Sequence, residues 1–293
     1  MSRSMTPTAI VTGASSGIGR AIARTLAKER FDVFLTGRHI DHLRETARVV
    51  RDEGGQVFLE AFDVRESNRL QLFISAAGKT AGRLDVFVNV AGVGYFENIV
   101  DGDPAKWREM FEVNVLAMLV GCQAAIRAMR TTRSRGHIVS ISSCAGRMDA
   151  SHVYGATKAA VDSICTTMRK ELEEDTIRVV NIVPGLVATN FFRNLDPDFV
   201  NSVLRAFGFP GKYSAGDVLS DLLLSELYSR ASAVFASPED IARAVIYAVK
   251  QPPDLNVSEI VVGPRKELLQ VNIASTRQFP NEERGIRSGV APK

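Results

Sequence analysis

Seven short apolar runs recur along the chain, separated by longer stretches in which apolar and charged positions alternate with helical spacing. The runs are TAIVT (8–12), DVFLT (32–36), QVFLEAF (56–62), LDVFVNV (84–90), GHIVSIS (136–142), IRVVNIV (177–183) and SEIVVG (258–263). Near-continuous apolar runs of this length suit strands buried on both faces, and their alternation with amphipathic helices is the pattern of a parallel sheet covered by helices. The expected fold class is therefore α/β, a seven-stranded parallel sheet with helices on both faces.

The segments between the runs carry their own signals. Ile18, Ile22 and Leu26 stand four apart while Arg20, Arg24 and Lys28 occupy another face, which predicts a surface helix over 18–30. Ile40, Leu43, Ala47 and Val50 predict a second over 40–53, ending at Gly54 and Gly55, where a left-handed cap costs little. Asp103 before Pro104 reads as an N-cap followed by a first-turn proline, opening a long helix toward Met129; Ser237 and Pro238 repeat the device ahead of DIARAVIYAV. Two segments break the alternation. Residues from about 190 to 235 exceed an ordinary connection and predict a lid or substrate-binding insertion, and the tail of about 264–293 reads as a frayed terminus or a subunit-contacting arm. The expectation is one domain over 1–293 bearing both.

Composition narrows the class. With 45% hydrophobic and 24% charged residues and no internal repeat, 293 residues can bury a sizeable core, which excludes disordered and solenoid readings. A net charge of +3, with arginines interspersed among acids, points away from nucleic acid. MSRSMTPTAIVTG has too few apolar residues for a signal peptide, and Val113–Ile126, interrupted by Asn114 and Gln123, falls short of a membrane span. Cys122, Cys144 and Cys165 form no C-x-x-C pair and no even set, and His39 and His42 lack a third strong ligand. A cytoplasmic protein with no metal is expected.

TGASSGIG follows the first run and leads into the first helix, with Gly13, Gly17 and Gly19 in a G-x-x-x-G-x-G spacing. Small residues there let main-chain N–H groups and a helix N-terminus approach a pyrophosphate, and Ser15 and Ser16 add hydroxyls. About 20 residues beyond such a turn an acid would bind the ribose of NAD, whereas an arginine suits the phosphate of NADP. The second run ends in Thr36, Gly37 and Arg38, so the expected cofactor is NADP(H), with a solvated loop arginine as the alternative. Asp63, ending the third run, is either an acceptor for the adenine amino group or a turn residue.

In HVYGATKAAV, Tyr154 precedes Lys158 by four positions, which stacks a phenol and an ammonium on one helix face. Such a pair arises by chance with a probability of about 0.15 in this composition, so its context matters. GHIVSISSCAG upstream is a strand ending in hydroxyls, at the end where open α/β sheets keep their ligands. An adjacent ammonium is expected to lower the phenol's pKa from near 10 by about two to three units, making Tyr154 a proton donor to a reacting carbonyl, with Lys158 also holding the nicotinamide ribose. Asn114, in FEVNVLAM, is a poor helix former whose burial demands partners: a water leading to Lys158 and a packing role both remain open. In VPGLVAT, Pro184 and Gly185 force a turn and Thr189 is available to the nicotinamide carboxamide.

From Thr8 to about Gly263 the chain resembles the short-chain dehydrogenases/reductases of the single-domain Rossmann type, through TGASSGIG, FDV, NVAG, Asn114, ISS, YGATK and VPGLVAT in the family's order. The resemblance implies a doubly wound, Rossmann-like sheet and hydride transfer at C4 of nicotinamide. It implies a catalytic tetrad of Asn114, Ser143, Tyr154 and Lys158, and a homodimer or homotetramer built on the helices containing Asn114 and Tyr154. It extends the cofactor contacts to Ile18, Val64, Asn89, Ala91 and Gly92 on one side, and to Pro184, Gly185 and Val187 on the other. Two departures stand out. The family's NNAG reads NVAG, with Val90 in second place, which bears on strand stability more than on chemistry. The strand-end serine and the tyrosine are two residues closer than usual; aligning by the strand selects Ser143, with Ser142 as the alternative and Ser140 pointing into the sheet.

The insertion carries Phe191, Phe192, Phe199, Phe207, Phe209 and Tyr213 with few charges between them, which points to a largely apolar ketone or alcohol as substrate. Arg193, Arg205 and Lys212 are either carboxylate anchors or solvated charges, and the closing segment also resembles the branch acting on 3-hydroxy acids and related small alcohols. The competing reading is a regulator that binds NADP(H), senses redox state and has lost catalysis.

Overall fold

All seven apolar runs form strands: β1 (Thr8–Val11), β2 (Asp32–Gly37), β3 (Val57–Ala61), β4 (Val86–Asn89), β5 (His137–Ile141), β6 (Arg178–Pro184) and β7 (Glu259–Val262). The computed structural model describes residues 6–149, 151–252 and 254–265, so the expected tail beyond Arg265 lies outside the described residues. The strands pair in parallel in the order β3-β2-β1-β4-β5-β6-β7. Winding runs outward from β1 to β3 and then resumes at β4 on the other side of β1. That reversal leaves a crevice beyond the C-terminal ends of β1 and β4, where open α/β sheets bind ligands.

Side-chain alternation assigns the two faces. Ala9, Val11, Val33, Leu35, Val86 and Val88 point to one side, where α1 (Gly17–Lys28), α2 (Ile40–Asp52) and α9 (Pro238–Val249) bury Ile22, Leu26, Leu43, Ile241 and Val245. Ile10, Phe34, Phe87 and Ile138 point to the other, beneath α3 (Ser67–Ala81), α5 (Ala117–Thr132) and α6 (His152–Glu171). The expected caps form: the Asp103 carboxylate accepts from the Ala105 N–H ahead of α4 (Pro104–Phe111), and Ser237 and Asp240 close a reciprocal capping box on α9.

Between α4 and α5 the helix widens into one π turn, Glu112–Leu116, with Asn114 in its middle. The whole stretch Pro104–Thr132 is long and apolar enough to cross a membrane by length and composition, which the shorter window Val113–Ile126 is not; 50% of its apolar window is buried inside this fold. Its inner face meets α3 and the sheet, where Gly121 leaves room for the Phe87 ring.

The long segment before α9 is structured. A 3-10 turn (Asn190–Asn194), α7 (Pro197–Ala206) and α8 (Asp221–Ala231) enclose their own apolar cluster of Phe192, Val203, Phe209, Tyr213, Leu227 and Phe235. Two asparagine amides clamp its loops by reciprocal bonds. Asn190 pairs with the main chain of Leu219 (3.0 and 2.8 Å) and Asn201 with that of Tyr213 (2.9 and 2.8 Å). Leu227 has no exposed surface, so Leu227→Ala is expected to cost about 2–5 kcal/mol in urea unfolding. A change below about 0.5 kcal/mol would show that this cluster does not hold the segment.

Candidate active site

Thr12 follows β1 and its hydroxyl accepts from the N–H groups of Val90 and Ala91 (3.1 and 3.2 Å), which docks the NVAG turn against the glycine turn. Contact is close enough to dictate residue type: a Cβ on Gly13 would lie 2.7 Å from the Ala91 nitrogen, and one on Gly19 would lie 2.3 Å from the Gly13 carbonyl oxygen. Gly13 and Gly17 also hold left-handed backbones, φ 63° and 50°. Val90 packs against the core with its N–H satisfied, so the departure from NNAG leaves this turn intact. Ser16 is the N-cap of α1 but makes no side-chain cap bond, and the Ser15 hydroxyl is buried without a partner. Both border an open cleft of about 2100 Å³.

That cleft runs from Arg38, His39 and His42 past Ser15–Gly19, Ala91 and Gly92 to Ser143, Tyr154 and Lys158, and is closed on the far side by Pro184, Gly185, Val187 and Thr189. Ile18, Asp63 and Val64 also line it. Of the residues expected to contact a cofactor or substrate, Asn89 and Asn114 stand behind its wall. The Asn89 amide donates to the Cys122 sulfur (3.2 Å), toward α5, so its side chain supports the β4 end and is not a cleft contact as expected. Asn114 accepts from the Val93 N–H (2.9 Å) and donates to the Val93 carbonyl (2.8 Å) and the Thr157 hydroxyl (3.0 Å). Its amide therefore clamps the loop after β4 to α6. The π turn, a form of helix frequent at functional sites, is what lets it reach both.

Tyr154 and Lys158 lie one turn apart on α6, 7% and 6% exposed, with the lysine nitrogen 5.8 Å from the phenol ring centre. Lys158 donates to the carbonyl of Ile141 at the end of β5 (2.9 Å). Ser143 follows that strand, and its hydroxyl accepts from the Ala145 N–H (3.2 Å), capping a short 3-10 turn, Cys144–Arg147. Ser142 points elsewhere: its hydroxyl donates to the Asp162 carboxylate (2.5 Å), with the Lys158 carbonyl oxygen 3.3 Å away. The geometry thus brings Ser143, and not Ser142, to the phenol.

Burial corrects one electrostatic expectation. Desolvation pushes the Tyr154 phenol up to about 12, against a smaller opposing pull from the Ser143 hydroxyl, and pushes the Lys158 ammonium down to about 8, against the charge of Asp162. The lysine does not acidify the phenol here, because excluding water disfavours the phenolate and the ammonium alike. Tyr154 holds its proton throughout the neutral range.

At the other end, Arg38 is 44% exposed and only 3.9 Å from Glu109. Asp63 accepts from the main chain and guanidinium of Arg65 (2.8–3.1 Å), and that hydrogen bonding holds its carboxyl below the usual range. Its turn role is therefore realised. Of the insertion aromatics, Phe209 and Tyr213 serve the local core, whereas Phe191, Phe192 and Phe199 reach the cleft.

The sequence profile described as short chain dehydrogenase matches residues 7–199. The chain belongs to the short-chain dehydrogenase family. An uncharacterized oxidoreductase of Staphylococcus saprophyticus is 34% identical over 259 residues, covering 87% of this chain and 96% of that protein. An alcohol dehydrogenase from the archaeon Thermococcus sibiricus, complexed with 5-hydroxy-NADP, superposes with a TM-score of 0.71 at 25% identity, over 89% of this chain and 98% of that one. A metagenomic short-chain oxidoreductase in complex with NADP gives 0.67 at 29% identity, over 88% and 97%.

In this short-chain dehydrogenase Phe191, one of the insertion aromatics that point to an apolar substrate, flanks the Tyr154 ring at 5.5 Å. Three further residues carry no signal in the sequence: Phe96 flanks the same ring at 5.1 Å, and His152, in a left-handed backbone (φ 57°), bonds through Nδ1 to the Glu97 carbonyl (3.0 Å). Arg20 pins the glycine turn through the Ser15 carbonyl (2.9 Å) while reaching Thr46 of α2 (3.1 Å). None has a local signature, since each acts across elements distant in sequence. His39 and His42, read as a solvated helix start, are exposed but line the cleft.

The Tyr154 shift also sets a sign. Between the ordinary phenol value near 10 and about 12, the folded state keeps a proton that the unfolded state has lost, so this group's contribution to stability falls as pH rises through that window. In ultraviolet titration, Tyr154→Phe and wild type are expected to gain the same phenolate absorbance up to about pH 11. Loss of one phenolate equivalent near pH 10 in the variant would contradict the burial argument.

Proposed function

We propose that the protein is an NADP(H)-dependent reductase of a largely apolar ketone, or dehydrogenase of the corresponding secondary alcohol. The observation that carries this reading is Tyr154, a buried phenol that keeps its proton on the floor of the cleft beside Ser143 and Lys158. The glycine turn fits a dinucleotide: its close contacts forbid side chains, and the free α1 cap and the unpartnered Ser15 hydroxyl offer donors to a pyrophosphate. Arg38 supports the phosphorylated ribose of NADP, as do the NADP complexes of the structural relatives.

NADPH, held by the glycine turn and Arg38, would supply the hydride. Tyr154 gives its proton to the carbonyl oxygen as the alcohol forms, and Ser143 donates a hydrogen bond to the same oxygen. Lys158 spends one donor on Ile141 and keeps two for the ribose hydroxyls. Asn114 acts through its clamp on Val93 and Thr157. Phe96, Phe191 and Phe199 form the apolar wall for the substrate, with the segment at about 190–235 as its lid. Exposed Phe111, Leu116 and Leu119 on the Asn114 helix suit a second copy of the chain, and the three free thiols suit the cytoplasm.

Tyr154→Phe is expected to lower kcat by about 10²-fold or more while leaving NADPH affinity within a few fold, read by absorbance of the reduced nicotinamide and by nucleotide titration. Unimpaired turnover would remove Tyr154 as donor. Tight NADPH binding by wild type without turnover of any ketone in a panel would favour the regulator. Arg38→Asp is expected to move preference from NADPH toward NADH; an unchanged ratio of the two Kd values would show that the phosphate is held elsewhere.

A further inference from the structure

One turn beyond Lys158 on α6 stands Asp162, whose carboxylate accepts hydrogen bonds from three separate segments. Oδ1 accepts from the Ser142 hydroxyl at the end of β5 (2.5 Å) and the Asn181 amide on β6 (2.8 Å), and Oδ2 accepts from Arg147 Nε (3.0 Å) in the turn that Ser143 caps. Arg147 continues to Glu259 on β7 through its two terminal nitrogens. We propose that Asp162 is a positioning residue of this active site: its charge sustains the Lys158 ammonium, and its hydrogen bonds hold the 142–147 segment that presents Ser143. The inference rests on the role given above to Lys158.

The charges around Lys158 balance in pairs. Lys158 and Arg147 are opposed by Asp162 and Glu259, and Glu259 reaches the cluster through Arg147 and, more weakly, Asn181 (3.4 Å). Asp162 shares the helix with Lys158 and also touches its strand: the Ser142 hydroxyl on Asp162 belongs to the residue after Ile141, whose carbonyl takes the ammonium. Of the remaining titratable neighbours, Cys165 acts on Lys158 in the same direction as Asp162 but less strongly. Burial raises the thiols of Cys165 on α6 and Cys144 in the turn, and the phenol of Tyr154, so all three are neutral near pH 7; Arg169 lies one turn beyond Cys165 and hydrogen-bonds the Ser258 carbonyl. Burial already drives Lys158 down to about 8, and Asp162 is the foremost charge opposing it. Without that charge a smaller share of the amine would be protonated near neutral pH, and a neutral amine is a weaker partner for the Ile141 carbonyl and the ribose.

The test is a pH titration of ¹³Cε-labelled lysine in the full-length protein without added nucleotide, with the Lys158 signal identified by its loss in Lys158→Met. Asp162→Asn is expected to lower the Lys158 midpoint by about one unit, and Arg147→Gln, which strips a cation from Asp162, to raise it. The alkaline limb of kcat for carbonyl reduction should move in the same directions. An unmoved Lys158 midpoint in folded Asp162→Asn would overturn the proposal even if kcat dropped, because a purely structural role predicts that result. Should that variant fail to fold, a downward or absent shift in Arg147→Gln overturns it instead. Absence of turnover in the wild type would sink the reductase reading alone, since the lysine titration is read without catalysis.

Discussion

The hydrogen bond from the Lys158 ammonium to the Ile141 carbonyl holds the centre of this structure together. It ties the middle of α6 to the end of β5 inside a site where both groups have lost most of their water. A buried ammonium must be paired or it will shed its charge, so helix and strand cannot drift apart without a cost to Lys158. Tyr154 inherits its place from that bond because it stands one helical turn before Lys158, and Ser143 inherits its place because it follows Ile141 by two residues.

The same economy governs the cofactor end. Thr12 holds the Val90–Ala91 turn, the absence of side chains on Gly13 and Gly19 permits contact nearer than any Cβ would, and Arg20 locks the turn to α2. Donors then remain unspent at Ser15 and at the start of α1, on the edge where the winding of the sheet reverses. Behind the cleft, Asn89 and Asn114 make the structural bonds that hold its wall.

The Asn114 amide shows how local irregularity serves this arrangement. An unbroken α-helix from Pro104 would turn that side chain through a different angle. The single π turn gives it simultaneous reach to Val93 and Thr157, so one residue joins the loop after β4, the helix beneath it and α6. The surrounding apolar cluster of Val93, Met110, Val113 and Tyr154 excludes water from the bonds.

Periodicity determined the seven strands, the first two helices and the α/β class, because burial on two faces and helical spacing leave marks within a few residues, and residue type before a proline determined the caps at Asp103 and Ser237. Ordered motifs determined the family, and four-residue spacing put Tyr154 over Lys158. Tertiary structure decided what depends on contact between distant segments. It separated Ser143 from Ser142 by giving the latter to Asp162, turned Asn89 away from the cleft, committed Asn114 to a clamp, and placed Phe96 and Phe191 on either side of the phenol. It also reversed the direction of the Tyr154 shift, since a neighbouring charge can be read from spacing whereas loss of water is a property of the whole enclosure.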